Sequence, residues 1–160
     1  MNATRRALER LLAATIAVLM TAMVLNVLWQ VFSRFVLRTP SSHTEELARY
    51  LMIWLGLLGG AYGVGTKSHL AVDYFMAGLQ AAVELAVLVF AAAVMVGGGV
   101  RLMWVTFTLG QTSAALGLKL GYVYAAVPLA GACIVVFSVA SLAALRRGDD
   151  EHAKQSGGLN

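Results

Sequence analysis

The sequence predicts an all-α integral membrane protein of four transmembrane helices with short connections. Three observations predict it. Hydrophobic residues make up 59% of 160 positions and charged residues only 12%, half the charge of a soluble domain. Mean hydropathy is +0.76, which excludes a disordered chain, since disorder needs low hydrophobicity and high charge. The apolar residues fall in four continuous runs of roughly 20, the length a helix needs to cross the hydrocarbon core. These runs do not alternate, so a β-barrel is excluded. A helix also satisfies each backbone group within its own segment, as hydrocarbon requires. The spans are placed at about 11–33, 44–66, 79–104 and 120–145, within one membrane domain of residues 1–147. Residues 148–160 read as a polar, unstructured cytoplasmic tail.

Span one runs from Leu11 to Phe32 behind the basic residues Arg5, Arg6 and Arg10. It is longer than the roughly 7–15 apolar residues of a secretory signal. It ends in Gln30-Val31-Phe32-Ser33-Arg34, with no small-residue cleavage pattern, so it reads as a retained span. Thr15, Asn26, Gln30 and Ser33 share one helical face. Amides within a bilayer turn toward another helix that can pair with them.

Span two has a marked start. Ser42 and Glu45 after Pro40 have capping-box spacing. The helix is expected from about His43, with Glu45, Glu46 and Arg49 in its first turns. Gly56, Gly60 and Gly63 lie on one side with Gly59 beside them. Glycine costs up to about 1 kcal/mol in a helix interior, so this density points to a close packing partner. Glu45 and Arg49 continue the same stripe and have the spacing of an i, i+4 ion pair.

Span three is apolar from Leu79 to Val100 and continues its helical pattern past Arg101 to about Thr106. Glu84 lies one turn inside it. The residue reads either as a boundary carboxylate or as the ion carrier of a very small transporter. Span four runs from Tyr122 to Leu145 and closes on Arg146-Arg147. Its Pro128 either kinks the helix or marks an unwound start. The tyrosines and tryptophans cluster toward the run ends, as in an aromatic belt.

Net charge is +4, yet the cations sit at span ends, where they set topology and meet lipid headgroups. Nucleic acid is therefore not an expected partner. With the N-terminus inside, seven Lys and Arg (Arg5, Arg6, Arg10, Lys67, Arg146, Arg147, Lys154) face the cytoplasm. Five (Arg34, Arg38, Arg49, Arg101, Lys119) face outward. Both termini are thus expected in the cytoplasm. None of His43, His69 and His152 is mid-span, so paired haem ligands are absent from the pattern. Cys133 stands alone, and no zinc, nucleotide or nucleophile motif is found. No enzyme, metal site or cofactor is expected.

Several stretches resemble the small permease subunit of TRAP transporters (tripartite ATP-independent periplasmic transporters, DctQ-like). They are Gln30 to Val36, Pro40, Thr44-Glu45-Glu46-Leu47-Ala48-Arg49-Tyr50, Ile53-Trp54-Leu55-Gly56 and Gly59-Gly60-Ala61. His69-Leu70-Ala71-Val72-Asp73, Ser113 to Leu118 and Tyr122 to Leu129 extend the match. His43 stands where the family often has tryptophan, and Ala71 where it often has a basic residue. The resemblance implies a bacterial inner-membrane scaffold, without catalytic activity of its own, in a sodium-coupled importer of organic acids. It implies a large permease subunit that carries the sodium and substrate sites, and a periplasmic substrate-binding protein that delivers the substrate. Candidate partner-interface residues are Asn26, Gln30, Arg34, Glu45, Glu46, Arg49, Gly56, Gly60, Gly63, His69 and Asp73, with membrane lipids as further contacts. The rival reading is a stand-alone small oligomeric transporter that uses Glu84.

Overall fold

The computed structural model describes residues 2–38, 42–67 and 77–157, with side chains in 5–38, 42–66 and 82–144. Its elements in chain order are α1 (Asn2–Phe35), α2 (Ser42–Lys67), α3 (Ala77–Phe90), a π-helical stretch (Ala91–Gly98), α4 (Gly99–Thr108), α5 (Leu120–Tyr124) and α6 (Ala126–Gly157). Four helical segments are long and apolar enough to cross a membrane: Arg5–Phe35, Ser42–Thr66, Ala82–Thr108 and Leu120–Ala144. The third span combines α3, the π stretch and α4, and the fourth combines α5 with most of α6. Helix α6 continues to Gly157, where an unstructured tail is expected from composition.

The helices form an open row. α1 packs on α2, α2 on α6, and α6 on α3 with its π stretch, while among the described residues α1 and α3 do not meet. Span four is therefore the middle of the molecule, with 28% of its apolar window buried against 6% for span one. The interior is thin and built of small side chains: Ala61, Ala91 and Ala130 are at most 1% exposed, around Leu12, Leu58, Ile134 and Phe137. Large apolar side chains point outward along the spans, among them Leu25, Leu28, Phe90, Val94 and Leu129. A face of that kind is stable only against hydrocarbon or another apolar chain.

Close backbone approach occurs at glycines that the motif reading passed over. A methyl group on Gly65 would lie 2.9 Å from the Phe137 ring, which is itself 1% exposed. At Gly131 it would lie 2.6 Å from Met95 Cβ, and at Gly99 2.9 Å from Pro128 Cδ. Helix α6 and the π stretch thus touch almost backbone to backbone. Pro128 lies just past an interruption of span four. Its ring displaces the carbonyl four residues earlier, at Tyr124, and the helix breaks at the single residue Ala125 before resuming.

Among the described residues, polar ties hold the α1–α2 hairpin near each end. Asn26, 9% exposed, donates its amide to the Thr44 carbonyl at 2.8 Å. At the opposite end the Arg5 guanidinium donates to the Gly65 carbonyl at 2.7 Å and pairs with Glu9 at 3.0 Å. A cation there meets the negative end of the α2 dipole.

Candidate functional site

Polar groups gather at the end of the row where α1 finishes and α2 begins. Apolar periodicity stops at Phe35, and Arg38 takes the left-handed conformation with φ 53°. That geometry carries an energetic cost for any residue but glycine. Between this corner and the first turn of α2 lies a cavity of about 640 Å³, lined by Gln30, Val31, Arg34, Phe35, Arg38, Ser42 and Glu45. It brings together three expected interface residues, Gln30, Arg34 and Glu45. Arg38 and Ser42 complete it. Among the described residues, Arg34, Arg38 and Glu45 form no ion pair within 4 Å.

The Ser42–Glu45 capping box is not formed. Ser42 is already the first helical residue, so its hydroxyl is not in the non-helical position from which a cap reaches back. Glu45 and Arg49 do not form the expected ion pair either; both are exposed and stand apart.

Glu46 instead points inward and organises a neighbouring loop. Its Oε2 accepts the backbone N–H of Ala115 at 2.8 Å and of Leu116 at 3.1 Å. Its Oε1 accepts the Tyr50 hydroxyl at 2.6 Å. The loop between α4 and α5 folds back on itself through Ser113 N–H to Leu118 O at 2.7 Å and Leu120 N–H to Gln111 O at 3.0 Å. Gly117, at φ 65°, supplies the turn. Successive N–H groups converging on a carboxylate make an anion-holding nest. This role was missed from sequence, because residues 46 and 115 are 69 positions apart. Next to the loop, Phe107 and Tyr122 meet edge to face at 5.3 Å.

The glycine stripe of α2 lies on the opposite side from its buried residues. At 100° per residue, Gly56, Gly60 and Gly63 are about half a turn from Leu58, Ala61 and Gly65, which face the interior. A side chain placed on Gly56, Gly59, Gly60 or Gly63 would meet nothing within 4 Å. Among the described residues, no helix of this chain packs on the stripe, which runs from Glu45 and Arg49 down to Gly63. Asn26, by contrast, is satisfied within the hairpin. His69 and Asp73 lie outside the described residues.

Glu84 accepts the Ser141 hydroxyl at 3.1 Å on Oε1, while its Oε2 is buried with no hydrogen-bond partner among the described residues. Ser138 Oγ is buried in the same unpaired way. Among the described residues, no three His, Cys, Asp or Glu side chains come together as a metal site.

Four apolar spans in an open row, a polar corner and a helix face left bare define a multi-pass membrane protein with surfaces shaped for association. Residues 23–148 match the family model described as "Tripartite ATP-independent periplasmic transporters, DctQ component"; the chain belongs to that family and is a TRAP transporter small permease. It is similar to the sialic acid TRAP transporter small permease protein SiaQ of Vibrio cholerae serotype O1, at 34% identity over 88 residues. The aligned part is 50% of this chain and 51% of the relative, so the chain spans about half the length of the curated relative it matches.

Proposed function

We propose that this chain is the scaffold of a sodium-coupled importer of organic acids in a bacterial inner membrane, with both termini in the cytoplasm. It takes no direct part in chemistry. In this reading a large permease subunit carries substrate and sodium, and a periplasmic binding protein delivers the substrate. The relative's name makes sialic acid one candidate among carboxylate substrates. One observation carries the reading: α2 keeps a glycine face on which nothing among the described residues would touch an added methyl group within 4 Å. Glycines in an exposed helix face cost stability. They are explained by a partner helix that approaches the backbone closely.

The large subunit is assigned to that face. Gly56→Leu and Gly60→Leu should leave this chain folded and membrane-inserted but abolish co-purification of the large subunit. Normal co-purification of both variants would refute the assignment. Charge reversal at Glu45 or Arg49, at the polar head of the same stripe, should lower substrate uptake more than assembly. Uptake equal to wild type would remove any docking role for those two residues.

A second reading rests on Glu84, whose buried Oε2 lacks a described partner. It makes the chain a stand-alone oligomeric transporter that carries a cation on that carboxylate. Proteoliposomes holding this chain alone discriminate the two. Transport that vanishes in Glu84→Gln supports the second reading, and no transport by wild type supports the scaffold.

A further inference from the structure

We infer that α1 and the α1–α2 corner form a binding site for a phospholipid whose headgroup carries a phosphate and a primary amine, as phosphatidylethanolamine does. Two cavities lie along one side of α1. The corner cavity of about 640 Å³ presents Arg34, Arg38 and Glu45. A second, of about 230 Å³, is lined by Met20, Met23, Val24, Val27 and Leu28 and is almost wholly apolar. Met20, Val24, Val27, Val31 and Arg34 follow one another at steps of four and three, so the two cavities share one stripe of the helix, and Arg38 lies just past its end.

The depths fit a lipid. At about 1.5 Å rise per residue, Leu28 lies about 9 Å and Met20 about 21 Å below Arg34. One leaflet of the hydrocarbon core is about 15 Å deep. The part of the groove from Leu28 to Val24, about 9 to 15 Å below Arg34, therefore sits where an acyl chain runs when its phosphate is level with Arg34, and Met20 marks its deep end. Met20 and Met23 supply unbranched side chains that adapt to such a chain.

The charges fit the headgroup. Neither arginine has a hydrogen-bond or ion-pair partner among the described residues, and both line the polar cavity. Guanidinium groups bind phosphate oxygens through paired N–H donors. Glu45 lines the same cavity and is equally unpaired. Its carboxylate opposes a purely anionic headgroup and accepts from an ammonium. The Gln30 amide and Ser42 hydroxyl add neutral donors to the phosphate ester.

The test uses the full chain, purified in mild detergent with whatever it assembles with, stripped of lipid and measured by native mass spectrometry. Phosphatidylethanolamine, phosphatidylglycerol and phosphatidylcholine of matched acyl chains are added in competition. Wild type should retain phosphatidylethanolamine over the other two. The Arg34→Gln/Arg38→Gln pair should weaken retention about tenfold or more, whereas Arg49→Gln, a nearby cation outside the cavity, should not. Glu45→Gln should shift the preference toward phosphatidylglycerol, an exchange of ligands that a merely unfolded protein cannot show. Undiminished retention in the double variant would overturn the proposal. So would displacement of the lipid by inorganic phosphate at millimolar concentration, which would mark a free-anion site. Wild-type preference for phosphatidylglycerol would overturn the role given to Glu45.

Discussion

Glu46 illustrates how one side chain fastens two distant parts of the molecule. It receives two backbone N–H groups and a tyrosine hydroxyl, and nothing else described on α2 could replace it. Glu46→Gln keeps the shape but weakens the acceptor. It should lower stability, read as a lower Tm in detergent and as faster amide exchange confined to residues 113–117. Exchange unchanged in that loop would contradict the clasp. The glycines make the second residue-scale prediction. Gly131→Ala and Gly65→Ala should each cost about 1–3 kcal/mol by overpacking. Gly60→Ala should be neutral or stabilising by up to about 1 kcal/mol in the isolated chain. Thermal unfolding of the three variants checks the order. The contrast marks a limit of reading from sequence. Small-residue spacing made Gly56, Gly60 and Gly63 visible, but which side of α2 its neighbours cover depends on α6, far along the chain. The crowded glycines at 65, 99 and 131 carry no spacing motif because their partners are Phe137, Pro128 and Met95.

At the scale of elements, the spans were legible because hydrocarbon imposes one solution on a long apolar run. The shared polar face of α1 reappears as buried Asn26 and Ser33. Two features were not legible. The π stretch at Ala91–Gly98 follows from close packing on α6 and leaves no periodic signature. The capping box failed because the helix starts at Ser42 itself. Asn26 is the element-scale test. Asn26→Leu keeps the volume roughly constant and removes the bond to Thr44, so the hairpin should lose about 0.6–2 kcal/mol. Unfolding in mixed micelles should shift by that amount, and an unchanged midpoint would show that packing alone holds α1 to α2.

For the whole molecule, the open row is the central fact. A closed bundle buries one stripe of every helix; here, among the described residues, α1 and α3 do not meet, and span four is the most covered. Such a row presents broad faces to lipid and to other chains at small cost in residues, as a scaffold subunit needs. Membership of the DctQ family agrees with this architecture, and the rival use of Glu84 requires the chain to act alone. One purification decides between them most directly. The tagged chain is drawn from native membranes in mild detergent and in nanodiscs, and co-eluting proteins are quantified by mass spectrometry. The account predicts a many-span membrane protein at about equal amount, lost in the Gly60→Leu variant. Recovery of the chain alone, or solely as copies of itself, under both conditions would contradict it.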